Sequence, residues 1–145
     1  MLCVAADEPD DRQSMMNFLM HSADLSNPVR PFPLAKRWAY LIIDEFTQQG
    51  DMEKRLNLPV SPMCDRDTLA TDGQKAKMQM DFMDYVVAPM YQLMGNFLPN
   101  MDVCLDLLKG NRETYQKIRE GSATAAVLSA AVPDEGTQAL EGSGA

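Results

Sequence analysis

The segment HSADLSNP, residues 21–28, holds the side chains whose types and spacing best suit chemistry in this chain. His21 precedes Asp24 by three residues at the predicted end of a helix, and Asn27 follows in a turn fixed by a proline. A carboxylate at a helix end is usually solvated or capping, and an isolated histidine is usually a hydrogen-bonded structural residue. The segment alone therefore favours metal binding by Asp24 only weakly, and it favours a structural role for His21.

The elements that position this segment are predicted to be helices. Apolar residues recur with a period of about 3.6 in four parts of the sequence, residues 15–23, 34–46, 78–97 and 101–119. No segment keeps the alternation typical of a strand, and no internal repeat is present. The fold class is therefore predicted to be all-α, a helical bundle.

Capping and helix-breaking residues predict where these helices begin and end. Asp10 or Asp11 is predicted to cap the first helix, which ends near residue 24. A later helix is expected to begin near Gln74 and to kink or restart at Pro89. The last helix is expected to be interrupted at Gly110.

The second predicted helix has the most regular pattern in the chain. Pro33 suits its first turn, and Gly50 is predicted to end it in a left-handed cap. Four large apolar residues at helical spacing are predicted to form the spine of the core: Trp38, Leu41, Ile42 and Phe46.

Composition and charge exclude several classes of function. The 145 residues, 46% of them hydrophobic, suit one soluble domain, and a formal charge of −8 with scattered basic residues argues against a nucleic-acid partner. Three cysteines and one histidine exclude a disulfide framework and a Cys/His zinc site, and they indicate reduced thiols in a cytoplasmic protein. No apolar run reaches the ~18 residues of a membrane span.

Four sequence blocks occur in one order: HSADLSNP, EFTQQGD, SPMCD and QMDFMDYVVAP. Together they closely resemble the class I 3′,5′-cyclic nucleotide phosphodiesterases, over approximately Asp11–Ile118. The resemblance implies that residues 11–119 are the C-terminal portion of the helical, HD-type catalytic domain of that family. Residues 1–10 and the tail at 120–145, which is rich in Gly, Ser, Ala and Thr, are predicted to be disordered.

The resemblance implies a substrate, a reaction and metal cofactors. In the family, two divalent cations, a tight zinc and a second magnesium or manganese, activate a bridging hydroxide that attacks the cyclic phosphate of cyclic AMP or cyclic GMP. The product is the 5′-nucleotide monophosphate. By its motif position, Asp24 is expected to be a ligand of the tight metal, whereas His21 matches a position that is not a ligand.

The resemblance also implies a purine-binding site. Gln79 matches the glutamine that reads the purine edge, because its amide can both donate and accept. Phe82 and Ile42 match the aromatic and aliphatic groups on the two faces of the base. Two further positions complete the expected substrate site, a polar purine contact and a residue at the pocket mouth: Asn27 and Met63.

The alignment of the glutamine leaves an alternative. The preceding loop is a few residues longer than is usual in the family, so the position of Gln79 depends on the FMDY block that follows it. Gln74 is the other candidate.

One feature of the family is missing from this sequence. The other metal ligands of the family, two histidines and an aspartate, and its catalytic histidine lie upstream, and this chain has a single histidine. One hypothesis is therefore a piece of a phosphodiesterase that works with an upstream catalytic half. The alternatives are a non-catalytic helical module that binds a nucleotide or a protein, and a remnant unable to cover its own apolar surface.

Overall fold

The computed structural model of the protein describes residues 8–129, and the regular structure in that range is entirely helical. The all-α prediction is therefore confirmed. The α-helices are α1 Pro9–Asp24, α2 Phe32–Arg55, α3 Asp72–Phe82, α4 Ala88–Gly95, α5 Asp102–Arg119 and α6 Ala125–Leu128. Short 3₁₀ turns lie at Asn27–Val29 and Arg66–Leu69, and a π-helical turn at Met83–Val87 joins α3 to α4.

The core lies where the α3–α4 rod crosses α5 and the turn Asn27–Val29. Methionines fill much of it, since an unbranched thioether fits irregular gaps between helices. The ring of Phe32 meets Tyr115 edge-on, with centroids 5.3 Å apart. The buried cluster comprises Val29, Ala76, Met80, Met83, Val87, Met90, Tyr91, Met94, Leu108, Tyr115 and Ile118.

Helix α2 buries a face of mostly small residues rather than its largest ones. The predicted spine is wrong for Trp38 and Leu41, whose side chains are 47% and 55% exposed. Helical periodicity gives the spacing of a face but does not identify which of two adjacent faces is covered. The buried positions are Ala35, Ala39, Ile43, Thr47 and Gly50.

Gly50 does not end α2, which continues to Arg55. A Cβ atom built at Gly50 would lie 1.9 Å from the carbonyl oxygen of Cys64. The glycine therefore serves the close approach of the following loop to the helix, so its predicted role as a cap is wrong.

Three other helix boundaries were predicted from the sequence, and one of these predictions is wrong. Helix α3 begins two residues before Gln74, because Thr71 and Gln74 form a capping box. Pro89 lies in the first turn of α4, directly after the π-helical turn, as the predicted restart requires. Helix α5 passes through Gly110 without interruption, so the predicted break is wrong.

Two helices, α1 and α6, lie at the ends of the described chain. Helix α1 begins at Pro9 with Glu8 as its N-cap, so Asp10 and Asp11 lie in the first turn instead of capping it. In the predicted disordered tail, α6 forms a short helix, and Lys36 donates to the carbonyls of its last turn. Residues 1–7 and 130–145, which fall within the predicted disordered ends, lie outside the described residues. Between residues 8 and 129, the helices are too short or too polar to cross a bilayer.

Replacing Gly50 by alanine is expected to destabilise the fold by about 3 kcal/mol, because the added methyl group overlaps backbone that cannot move aside cheaply. The measurement is the free energy of unfolding in urea. Gly110 is the matched control, since a Cβ there meets no atom within 4 Å and alanine in a helix is favoured by about 0.5–1 kcal/mol. Equal effects of the two substitutions would contradict the proposed close approach.

Candidate functional site

A cleft of about 610 Å³ opens between the end of α1, the middle of α2, the loop before α3, and one face of α3. Its lining is mainly apolar, with polar groups at a few points. All six residues predicted to form the substrate and metal sites line this one cleft: Asp24, Asn27, Ile42, Met63, Gln79 and Phe82. The structure thus brings together residues that span 59 positions of sequence, from 24 to 82. What each residue binds stays a prediction.

Two buried hydrogen-bonding groups fix the wall that carries Asp24 and Asn27. The hydroxyl of Tyr91 donates to the carbonyl of Ser22 at 2.9 Å and holds the end of α1 against α4. The amide of Asn111, which is buried, donates to the carbonyls of Pro28 and Arg30 at 2.7 Å each. The loop between α1 and α2 is therefore bound to α5, and it presents its side chains to the cleft.

The residues present do not by themselves fit a resident metal ion. Asp24 is exposed and lines the cleft, but within residues 8–129 no three His, Cys, Asp or Glu side chains come together as a metal site. His21 is also exposed, and its side chain makes no hydrogen bond to the described residues, so the predicted structural role is not seen. Asp24 can therefore contribute at most one ligand to a centre completed by other groups.

Gln79 is the polar side chain best placed to meet a ligand. It is only 5% exposed, yet its amide has no hydrogen-bond partner among residues 8–129, and it lines the cleft. Gln74 also lines the cleft, but its Oε1 already accepts from the backbone nitrogen and hydroxyl of Thr71 at 2.9 and 3.0 Å. An amide that faces a cleft and has no partner in the described protein is free to bond a ligand, which favours Gln79 over Gln74 as the predicted ligand contact.

Half-buried apolar side chains supply the rest of the cleft. Phe82 on α3 and Ile42 on α2 both line it, together with Phe46 and Val86. The flat face of an aromatic ring and the adaptable surface of branched aliphatic groups suit contact with a planar ring system. Ile42 and Phe46 were predicted to lie in the core spine, and they lie instead at the cleft.

Met63 occupies the rim on a loop that α2 holds in place. Its side chain is 59% exposed, and its backbone is left-handed, with φ of 65°. Glu53 accepts from the backbone nitrogen and the hydroxyl of Ser61 at 2.7 and 2.6 Å, and these bonds hold the pKa of Glu53 below its usual range. The rim is therefore anchored two residues before Met63.

The sequence patterns missed several polar residues that line the cleft. Lys77 and Asp81 form an ion pair of 2.5 Å on its α3 side, and Thr68 lines it from the 3₁₀ turn. The available signal was spacing, since Lys77 and Asp81 share a helical face with Met78 and Phe82. Thr68 had no such signal, because its position depends on the path of a loop.

A π-helical turn begins directly after Phe82. Its residue Asp84 forms a two-point ion pair with Arg112 of α5, with Oδ1–Nε and Oδ2–Nη2 distances of 2.6 and 2.8 Å. The hydrogen bonds from the guanidinium hold the pKa of Asp84 below its usual range. On the opposite side of the turn, Met83 and Val87 are 1% and 0% exposed in the core.

Comparison with known sequences shows the family to which the chain belongs. Residues 3–108 match the family described as 3′5′-cyclic nucleotide phosphodiesterase. The chain belongs to this family. It is 40% identical over 111 residues to 3′,5′-cyclic-AMP phosphodiesterase 4C of Rattus norvegicus, a match that covers 76% of the chain and 20% of that relative. Against 3′,5′-cyclic-AMP phosphodiesterase isoform F of Drosophila melanogaster, it is 40% identical over 113 residues, 77% of the chain and 16% of the relative.

Solved phosphodiesterase structures share the fold. The structure of LmjPDEB1 in complex with IBMX aligns with a TM-score of 0.74 and 32% identity, over 82% of this chain and 35% of that one. The phosphodiesterase domain of the RhoPDE fusion protein from Salpingoeca rosetta gives a TM-score of 0.72 and 32% identity, over 80% and 36%. The chain thus spans about a fifth of these curated relatives and about a third of these solved chains.

The Asp84–Arg112 pair predicts a small acid dependence of stability. Because the folded pKa of Asp84 is lowered, the contribution of the pair is complete above the unfolded value of about 3.9 and is lost as pH falls through the folded pKa. Both side chains are more than a third exposed, which limits the effect to about 0.5–1 kcal/mol. Asp84→Asn should therefore lower the urea midpoint at neutral pH, and the gap from the unsubstituted protein should narrow in acid. Asp106→Asn, at an exposed position without an ion pair in the described structure, is the control and should show no gap.

Proposed function

We propose that this chain forms the base-binding side of a cyclic nucleotide phosphodiesterase catalytic centre. The observation that carries the proposal is the cleft in which the unpaired amide of Gln79 lies beside Phe82 and Ile42. An amide can bond the polar edge of a purine, while aromatic and aliphatic groups contact its faces. Family membership, through residues 3–108, supports a nucleotide as the ligand.

The reaction proposed for the completed centre is hydrolysis of a 3′,5′-cyclic nucleotide to its 5′-monophosphate in signal transduction. Asn27 adds a second amide to the cleft, and the described structure gives its side chain no hydrogen-bond partner. The edges of adenine and guanine both carry donors and acceptors, which two amides can match. The names of the rat and fruit-fly relatives make cyclic AMP the preferred substrate in this proposal.

The metal centre, zinc with magnesium or manganese, is proposed only for an assembly with further ligands. Asp24 lies at the cleft as one hard carboxylate ligand, and residues 8–129 hold no group of three potential ligands. Asp24 is the metal ligand that this chain contributes to that centre in the proposal. The remaining ligands are assigned to a separate, upstream part of the catalytic domain.

Exposed apolar surface supports such a partner. Trp38 and Leu41 on α2 are about half exposed, and Tyr85, beside the π-helical turn, is 81% exposed. Large exposed apolar patches on soluble proteins often mark a surface that a partner covers. Helix α1 adds further exposed apolar residues, Met16, Leu19 and Met20. The upstream catalytic half is the proposed cover, since the chain spans only 35% of the solved relative LmjPDEB1.

A second candidate function is nucleotide binding without turnover. It is favoured by one observation: residues 8–129 line a cleft of about 610 Å³ but form no three-residue metal site. The two candidates share the nucleotide ligand and differ in whether an upstream half is required.

Substitution of Gln79 by methionine, which has a similar shape, should weaken binding of cyclic AMP about tenfold or more, because the base edge loses its hydrogen bond. Isothermal titration calorimetry on the purified chain measures this affinity. Gln74→Met is the control: it should lower stability by about 1 kcal/mol through loss of the capping box and leave the affinity unchanged. The opposite pattern would assign the base contact to Gln74.

Turnover is tested by adding the upstream portion of the rat relative's catalytic domain to this chain, with zinc and magnesium. The chain alone should not hydrolyse cyclic AMP, and the mixture should. Asp24→Asn should abolish turnover by the mixture, whereas Asp44→Asn, at an exposed position outside the cleft, should not. Binding without turnover in every mixture would favour the non-catalytic function, and turnover by the chain alone would contradict the need for a second part.

A further inference from the structure

The cleft-lining residues of α3 and of the π-helical turn after it stay on one face, over a length at which a regular helix would rotate the last of them away. Four cleft residues follow one another at intervals of four: Gln74, Met78, Phe82 and Val86. In an α-helix of 3.6 residues per turn, each such step advances by about 40°, so three steps would rotate Val86 by about 120° from Gln74. A regular helix would therefore direct Val86 away from the cleft.

The π-helical turn at Met83–Val87 removes this drift. Its i→i+5 hydrogen bonds place more residues in each turn. A step of four residues across it therefore rotates by less than a full turn, whereas the same step in an α-helix rotates by more than a full turn. Val86 returns to the face that carries Phe82, and Met83 and Val87 remain buried on the other side. The wider turn thus keeps Phe82 and Val86 at the cleft while Met83 and Val87 stay in the core.

A π-helical turn is a less favoured form than a regular helix and needs support from its surroundings. Besides the buried packing of Met83 and Val87, Asp84 ties this turn to another helix through its two-point pair with Arg112 of α5. A planar guanidinium meeting a carboxylate at two points fixes orientation as well as distance. Since Asp84 lies two residues after Phe82 and two before Val86, the pair acts on both cleft contacts.

We propose that Arg112 is a positioning residue for nucleotide binding, which holds the π-helical turn so that Phe82 and Val86 form one wall of the cleft. Arg112 does not itself line the cleft. The inference rests on the proposed nucleotide-binding function and adds a residue that acts on it from α5. Because the affected wall contacts the faces of a base and not its edge, the effect is the same for adenine and guanine.

The test compares Arg112→Met with Arg66→Met in the purified chain. Arg66 also pairs with an aspartate, Asp51, at 2.7 Å, with similar exposure of both side chains. It lies in the 3₁₀ turn that brings Thr68 to the cleft, so it tests the loss of an ion pair near the cleft that does not touch the π-helical turn. The two variants should lose similar melting temperature, whereas only Arg112→Met should weaken binding of cyclic AMP, cyclic GMP and adenosine, each by about two- to fivefold, the range that an exposed ion pair can supply. Calorimetry gives the affinities, and adenosine separates a base effect from a phosphate effect.

Two further variants test the pair itself. Arg112→Lys keeps the charge but not the two-point geometry, so it should recover little of the affinity. Exchange of the partners, Asp84→Arg with Arg112→Asp, should recover more of it than either single substitution retains. Equal losses of affinity in Arg112→Met and Arg66→Met, or full affinity in Arg112→Met, would overturn the positioning role while leaving the proposed function intact. Absence of nucleotide binding by the unsubstituted chain would overturn both.

Discussion

The two hydrogen bonds that Asn111 donates to the carbonyls of Pro28 and Arg30 are the interaction on which the cleft depends. The loop between α1 and α2 carries two prolines, Pro28 and Pro31, and its regular structure is limited to the short 3₁₀ turn Asn27–Val29, so several of its backbone groups lack helical partners. A buried amide on α5 replaces the missing partners. The same helix reaches the π-helical turn through Arg112, one residue further on, and so it holds both sides of the cleft.

Helix α2 has two faces with different roles. Its small residues lie inward and allow close approach of neighbouring backbone, most closely at Gly50 against Cys64. Its larger residues, Trp38 and Leu41, remain outward, where the described chain provides little to cover them. Burial of large apolar side chains is a main source of stability, so Trp38 and Leu41 contribute little of it within residues 8–129.

Much of the fold was predictable because helical spacing and helix-starting residues are local signals. The all-α class and the restart at Pro89 followed from them, and the motif blocks identified six residues that the structure gathers at one cleft. The errors came from long-range packing. Gly50 lies inside a helix, where its lack of a Cβ allows the carbonyl of Cys64 to approach, and the local sequence does not indicate that contact. Trp38 is exposed because α2 packs through its face of smaller side chains, and the local pattern does not identify which face packs.

The methionines differ in how far an oxidant can reach them. Those of the core, Met80, Met83 and Met94 among them, are shielded by the crossing helices, whereas Met63 at the rim of the cleft is mostly exposed. Conversion of a thioether to its sulfoxide makes a flexible apolar group polar. Oxidative damage would therefore reach the entrance of the cleft before it reached the packing, and it would alter ligand entry in a molecule that is still folded.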